Sequence, residues 1–171
     1  MSERGVDKRG EELKGVFKVQ GKTYDVFLDR SEIVWTLQGE LNTGSNSQVY
    51  NISTRSLKLP DIIGAWIAKR RLPRDPSKEG RLVGFTLFTF SKAENRKLSE
   101  ARITFESDDE NLCEVWISKI NDIIQGIQGR PRKLKIVINP RSKKGQARLV
   151  YLKHVAPLFE KAGIRADIMS E

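Results

Sequence analysis

The 171-residue chain is 38% hydrophobic and carries a net charge of +9, enough apolar material for one ordinary domain plus a piece of another. It holds no apolar run near the ~18 residues a membrane span needs, and the charged residues 1–14 exclude a secretory signal peptide. Cys113 is the sole cysteine, which excludes an intrachain disulfide framework or a cysteine-rich metal site and favours a reducing compartment.

Residues 1–12 are polar and read as disordered. Short strand-like runs follow. Residues 14–19 lead into a Gln20-Gly21-Lys22 turn. Tyr24, Val26 and Leu28 alternate, as do Ile33, Trp35 and Leu37, which predicts two strands with one buried face each. Residues 42–47 are a polar loop, and 49–52 and 56–59 are weaker strand candidates. Residues 61–68 and the β-prone run 82–90 flank a basic loop over 69–81. Residues 98–106 place Ala101, Ile103 and Phe105 on one face.

The period then changes. Ser107 followed by Glu110 reads as a capping box. Leu112, Val115, Trp116, Ile120, Ile123, Ile124 and Ile127 recur at helical spacing, predicting an amphipathic helix of about five turns over 109–126. Residues 128–132, QGRPR, read as a linker.

The tail begins with a β-branched run, 133–139, expected to be a buried strand. Asn139-Pro140 opens a turn that ends at Gly145. Residues 146–162 have a helical pattern interrupted or kinked at Pro157, Gly163 stops it, and 164–168 read as a second strand. This is a β–loop–α–β unit whose loop faces a helix N-terminus, a place that suits a phosphate. Two parallel strands are marginal alone, because both faces need cover. Residues 133–171 are therefore expected to be much less stable than 13–127 unless they dock on the first unit or dimerise. From Arg130 onward eleven Lys and Arg face three Asp and Glu, against 20 and 19 before it, so the positive field belongs mostly to the tail.

Two resemblances follow from these residues. The strand series closed by one helix bearing Trp116 resembles a pleckstrin-homology (PH) domain. Asn139, Pro140, Lys144, Gly145, Gln146 and the run 155–159 resemble the opening of the diacylglycerol-kinase-type catalytic domain of the ceramide kinase family. The implied fold is α+β: a PH-like β-sandwich or barrel capped by a C-terminal helix over 13–127, then a β–α–β fragment of an α/β lipid-kinase domain over 133–171. The implied parent reaction is ATP- and Mg²⁺-dependent phosphorylation of a ceramide-type hydroxyl. Active members tend to have Phe-Gly-Gly after Asn-Pro. This chain has Arg141-Ser142-Lys143, closer to the ceramide-kinase-like subgroup, and Lys143 puts a Cβ where glycine takes φ > 0. The family's Gly-Gly-Asp-Gly stretch does not occur, nor does a P-loop motif. No residue is assigned as catalytic, and none as a metal ligand. An adaptor of the kinase-like subgroup, binding lipid or protein without catalysis, is the rival reading.

By resemblance, Asn139, Pro140, Ser142, Lys143, Lys144 and Gly145 form a nucleotide-phosphate loop. Lys18, Lys22, Lys69, Arg70, Arg71 and Arg74 are candidates for an anionic lipid surface, with Lys78 and Arg81 in the same basic run. The expected partners are an anionic membrane surface or sphingolipid, and a protein through the PH-like unit. Nucleic acid also fits such a cluster. The expected location is cytoplasmic and peripheral to membrane, with the nucleus left open. Trp35, Trp66 and Trp116 are expected to pack in the core or against a helix, Cys113 at the core's flank, and His154 to have no metal role.

Overall fold

The structure, a computed structural model, describes residues 12–39, 53–70, 80–92, 98–139 and 141–170. The expectations for 1–11, 42–47, 49–52, Arg71, Arg74, Lys78 and Pro140 lie outside them.

β1 (Leu13–Val19), β2 (Lys22–Leu28), β3 (Glu32–Leu37) and β4 (Thr54–Lys58) form an antiparallel meander. Gln20 and Gly21 both take positive φ, 52° and 78°, the two-residue turn whose twist matches the flanking strands. The register places Val26 opposite Trp35 and Leu28 opposite Ile33, so the alternating apolar residues meet on one face. A 3₁₀ turn, Leu59–Asp61, leads to β5 (Ile62–Arg70), β6 (Arg81–Lys92) and β7 (Leu98–Glu106). The strand order is β4-β3-β2-β1-β7-β6-β5. A single residue pair, Lys18 with Glu106, joins β1 to β7. The sheet folds over at that seam into two halves.

α1 (Glu110–Gly126) buries Cys113, Trp116, Ile120 and Ile124, one turn apart each, between the halves. Trp116 meets Phe17 edge to face, with ring centroids 5.1 Å apart. Phe85 stacks on Phe105 at 5.0 Å. Gly84 takes φ 146°, and a Cβ there would lie 2.0 Å from the Phe105 carbonyl oxygen, so only glycine lets β6 pass β7 so closely. The helix is capped by Asp109, whose carboxylate accepts from the Leu112 N–H at 3.0 Å. The sequence placed the cap at Ser107. Its hydroxyl instead accepts from the Asp109 N–H at 3.2 Å and holds the capping residue.

Beyond α1, β8 (Lys133–Ile138) and β9 (Arg165–Ser170) pair in parallel. Between them lie a 3₁₀ turn (Ser142–Gly145), α2 (Ala147–Val150), a π-helical turn (Tyr151–Val155) and α3 (Ala156–Lys161). The interruption falls at the residues before Pro157, as its pattern predicts. Proline has no N–H to return to the preceding turn, and the Ala156 N–H reaches back five residues to Tyr151. β8 departs from its predicted burial. Leu134, Ile136 and Ile138 are half-buried while Val137 is 63% exposed. α3 packs against β9, and Val137 and Met169, paired across the two strands, are both exposed. Trp66 takes the helix-packing alternative: it is 42% exposed on the outer face of β5, with its indole reaching α3, while Trp35 and Trp116 are buried in the core.

Candidate functional site

Lys18 is the penultimate residue of β1 and is exposed. β5 runs two residues past its apolar stretch, so Lys69 and Arg70 lie on the strand, and β6 begins at Arg81. The hairpin register sets Arg70 directly opposite Arg81. Like charges across a strand pair repel. With Lys18, the two arginines line a cleft of about 560 Å³ between β1, the β5–β6 hairpin and the residues joining β7 to α1. Thr23 adds a hydroxyl. Glu106 and Asp108 lie on the same wall, so cations outnumber anions three to two. Val16, Leu82 and Val83 supply apolar rim.

The structure thus brings together Lys18, Arg70 and Arg81 of the basic residues read from sequence and adds Thr23. Lys22 is exposed at the start of β2 and does not line the cleft. Lys69 points elsewhere, with its Nζ 3.8 Å from Glu110 Oε1. What the sequence conceals is the hairpin register that sets Arg81 opposite Arg70, because the basic run reads as a loop.

The second candidate is the loop after β8. The Asn139 side chain accepts from the Arg141 N–H at 2.9 Å, and its carbonyl accepts from the Ser142 N–H at 3.1 Å. Two N–H groups that a phosphate could use are therefore spent within the turn. Positive φ falls at Lys144 (57°) and Gly145 (82°), one residue later than the sequence placed it. Ser142, Lys144 and Gly145 are exposed. A hydroxyl and a cation there suit a phosphate. Among the described residues no three His, Cys, Asp or Glu side chains gather to hold a metal.

The tail meets the sandwich at Lys161. The Trp66 indole N–H donates to the Lys161 carbonyl at 3.1 Å. Lys161 Nζ lies 2.6 Å from Glu100 Oε2 and 4.7 Å from the Phe88 ring centroid. The lysine hydrogen bond is the largest cause holding the Glu100 carboxyl below the ordinary range, with partial burial opposing it. The expected linker is tied down as well. Arg130 donates to the Ile62 and Ile63 carbonyls, and Arg132 to that of Gln125 at 3.0 Å. Burial lowers the Arg130 pKa.

Two antiparallel half-sheets plugged by one helix are the architecture expected of a PH domain. The family model described as the ceramide kinase PH domain matches residues 13–120. The chain belongs to the ceramide kinase family. Within that family, human ceramide kinase-like protein is 32% identical over 157 residues, which is 91% of this chain and 28% of that protein. So long a match runs past α1 into the tail. Mouse ceramide kinase is 36% identical and human ceramide kinase 34%, each over 85 residues, half of this chain and 16% of theirs. The chain therefore spans well under a third of the length of these relatives. No helix among its described residues is long and apolar enough to cross a membrane.

Proposed function

We propose that the chain is the PH domain and opening β–α–β unit, residues 133–171, of a ceramide-kinase-family lipid kinase, and that the PH domain holds it to anionic membrane. The observation that carries the membrane reading is the Arg70–Arg81 pair facing Lys18 across one cleft. Two arginines placed opposite each other repel, and a lipid phosphate between them relieves that repulsion. The apolar rim beside them suits the edge of a bilayer. On this reading the protein sits at the cytoplasmic face of a membrane, bound peripherally.

Vesicle sedimentation tests it. Vesicles containing phosphatidylserine should bind the chain, neutral vesicles should not, and salt should weaken binding, since exposed charges are screened within ~8 Å at physiological ionic strength. Each surface charge contributes about 1 kcal/mol, so Arg70→Glu with Arg81→Glu should weaken binding at least about tenfold. Salt-independent binding, or none to anionic vesicles, rules the reading out.

The parent reaction is phosphorylation of a ceramide-type sphingolipid hydroxyl, with ATP and Mg²⁺ supplying the phosphoryl group and its charge neutralisation. Ser142, Lys144 and Gly145 would face the nucleotide phosphates, and Asn139 would shape the turn that presents them. The spent N–H groups of Arg141 and Ser142 favour the second reading, a non-catalytic adaptor of the ceramide-kinase-like subgroup. ATP-dependent labelling of ceramide by the native protein separates the two: phosphate transfer excludes the adaptor, and its absence in intact protein excludes the kinase.

A further inference from the structure

The outer face of β5, β6 and β7 converges on one residue of the tail. Trp66 on β5 donates to the Lys161 carbonyl, Phe88 on β6 lies under its ammonium, and Glu100 on β7 accepts from that ammonium. Lys161 is the last residue of α3, and the final carbonyls of a helix have no partner within it. Trp66 supplies one from the other unit. Gly64, also on this face, makes the approach close: a Cβ there would lie 1.9 Å from the Lys161 carbonyl oxygen and 3.1 Å from its carbon. Any other residue would push α3 away. The Lys161 and Glu100 side chains are 26% and 28% exposed, so the pair is shielded from solvent more than an ordinary surface ion pair.

We propose that the Gly64–Trp66–Phe88–Glu100 face is a dedicated docking surface for the β–α–β segment. The PH domain and the segment then form one rigid body rather than two units on a flexible linker. The glycine shapes the surface, the tryptophan caps the helix end, and the ion pair fixes the register. The chemistry is that of a partner presenting a helix C-terminus that ends in lysine. A bilayer held by the PH domain would then fix the orientation of the segment as well.

Hydrogen exchange on the whole 171-residue chain tests this. In the wild type, β8 and α3 amides should be protected. Gly64→Val should speed their exchange by at least about tenfold, while the α1 amides of residues 112–124 keep their protection. Because a β5 substitution could disturb the sandwich itself, two milder changes accompany it. Trp66→Phe removes the donor while keeping an aromatic ring and should speed tail exchange on the order of fivefold or more, about the weight of one hydrogen bond. Lys161→Glu should do so too, and adding Glu100→Lys should restore protection, since opposite charges then face each other again. Unprotected β8 amides in the wild type overturn the proposal. So does a rise that α1 shares equally in all variants, or a double charge swap no better protected than Lys161→Glu alone.

Discussion

Asn121 of α1 treats Ala65 of β5 as a neighbouring strand would. Its side-chain oxygen accepts from the Ala65 N–H at 3.0 Å, and its side-chain nitrogen donates to the Ala65 carbonyl at 2.9 Å. β5 is an edge strand, and an edge leaves a row of unpaired backbone groups. Asn121 and Arg130 close that row from the helix side, at Ala65 and at Ile62 and Ile63. Asn121→Leu would leave both Ala65 groups without a partner in a part-buried setting. The expected loss is about 1–3 kcal/mol. It should appear in urea unfolding as a lower midpoint at unchanged slope. A midpoint equal to wild type would show that water replaces the amide without penalty.

Trp116 carries the largest single share of the core. It is 1% exposed and sits against Phe17 and Phe85. Trp116→Ala should cost about 3–5 kcal/mol, most of the margin of an ordinary domain. Trp116→Phe keeps an aromatic ring there and should cost clearly less. Thermal melts followed by far-ultraviolet circular dichroism distinguish them. Equal melting temperatures for both variants would mean that the site tolerates a cavity.

The parts of this fold that sequence made legible are those whose partners are near or whose period is regular. Tyr24, Val26 and Leu28 alternate, and all three are buried. Trp116 lies on a helix stripe, and the helix forms. Pro157 breaks the tail helix for a reason local to its ring. What escaped prediction depends on distant neighbours. Trp66 reads as core or helix-packing, but nothing near it says that the helix it meets is α3, with its acceptor 95 residues away. Arg70 and Arg81 look like loop residues because the hydrophobic pattern stops before them, while the hairpin ladder continues through both. Lys161 carries no local mark of its role. Lys22 belongs by sequence with Lys18, but sits beyond the tight turn and outside the cleft.

Cys113 is fully buried in the core, and burial pushes its thiol pKa up, against a lowering hydrogen bond from Ser107. The thiolate is the reactive form. Alkylation of the native chain at neutral pH should therefore be slow and limited by opening of α1 from the sheet. Trp116→Phe, which loosens that packing, should speed it, whereas Trp66→Phe, on the outer face, should not. Rapid labelling of the folded wild type would contradict the burial.

Acid should weaken the chain at two named carboxylates, in a direction set by linkage. Asp29 accepts from the Glu32 N–H at 2.9 Å, the Ser31 hydroxyl at 2.7 Å and the Ser31 N–H at 2.6 Å. These bonds, the Glu32 one foremost, hold its pKa below the ordinary value. Glu100 is held low chiefly by Lys161. In both cases the unfolded chain binds the proton more readily than the folded one. Their stabilisation is therefore complete above the unfolded carboxylate range, near pH 4, and is lost as pH falls through the lowered folded values. Asp29→Asn keeps an acceptor oxygen at the turn but cannot titrate. The wild type should exceed it in stability at neutral pH, and the gap should close in acid. For Glu100→Gln the same closing gap should appear in hydrogen exchange of β8 and α3, with little change at α1. Comparing each variant with wild type at the same pH removes the contribution of every other titrating group. A gap that stays constant from neutral pH into acid would show that neither carboxylate binds its partners more strongly when ionised.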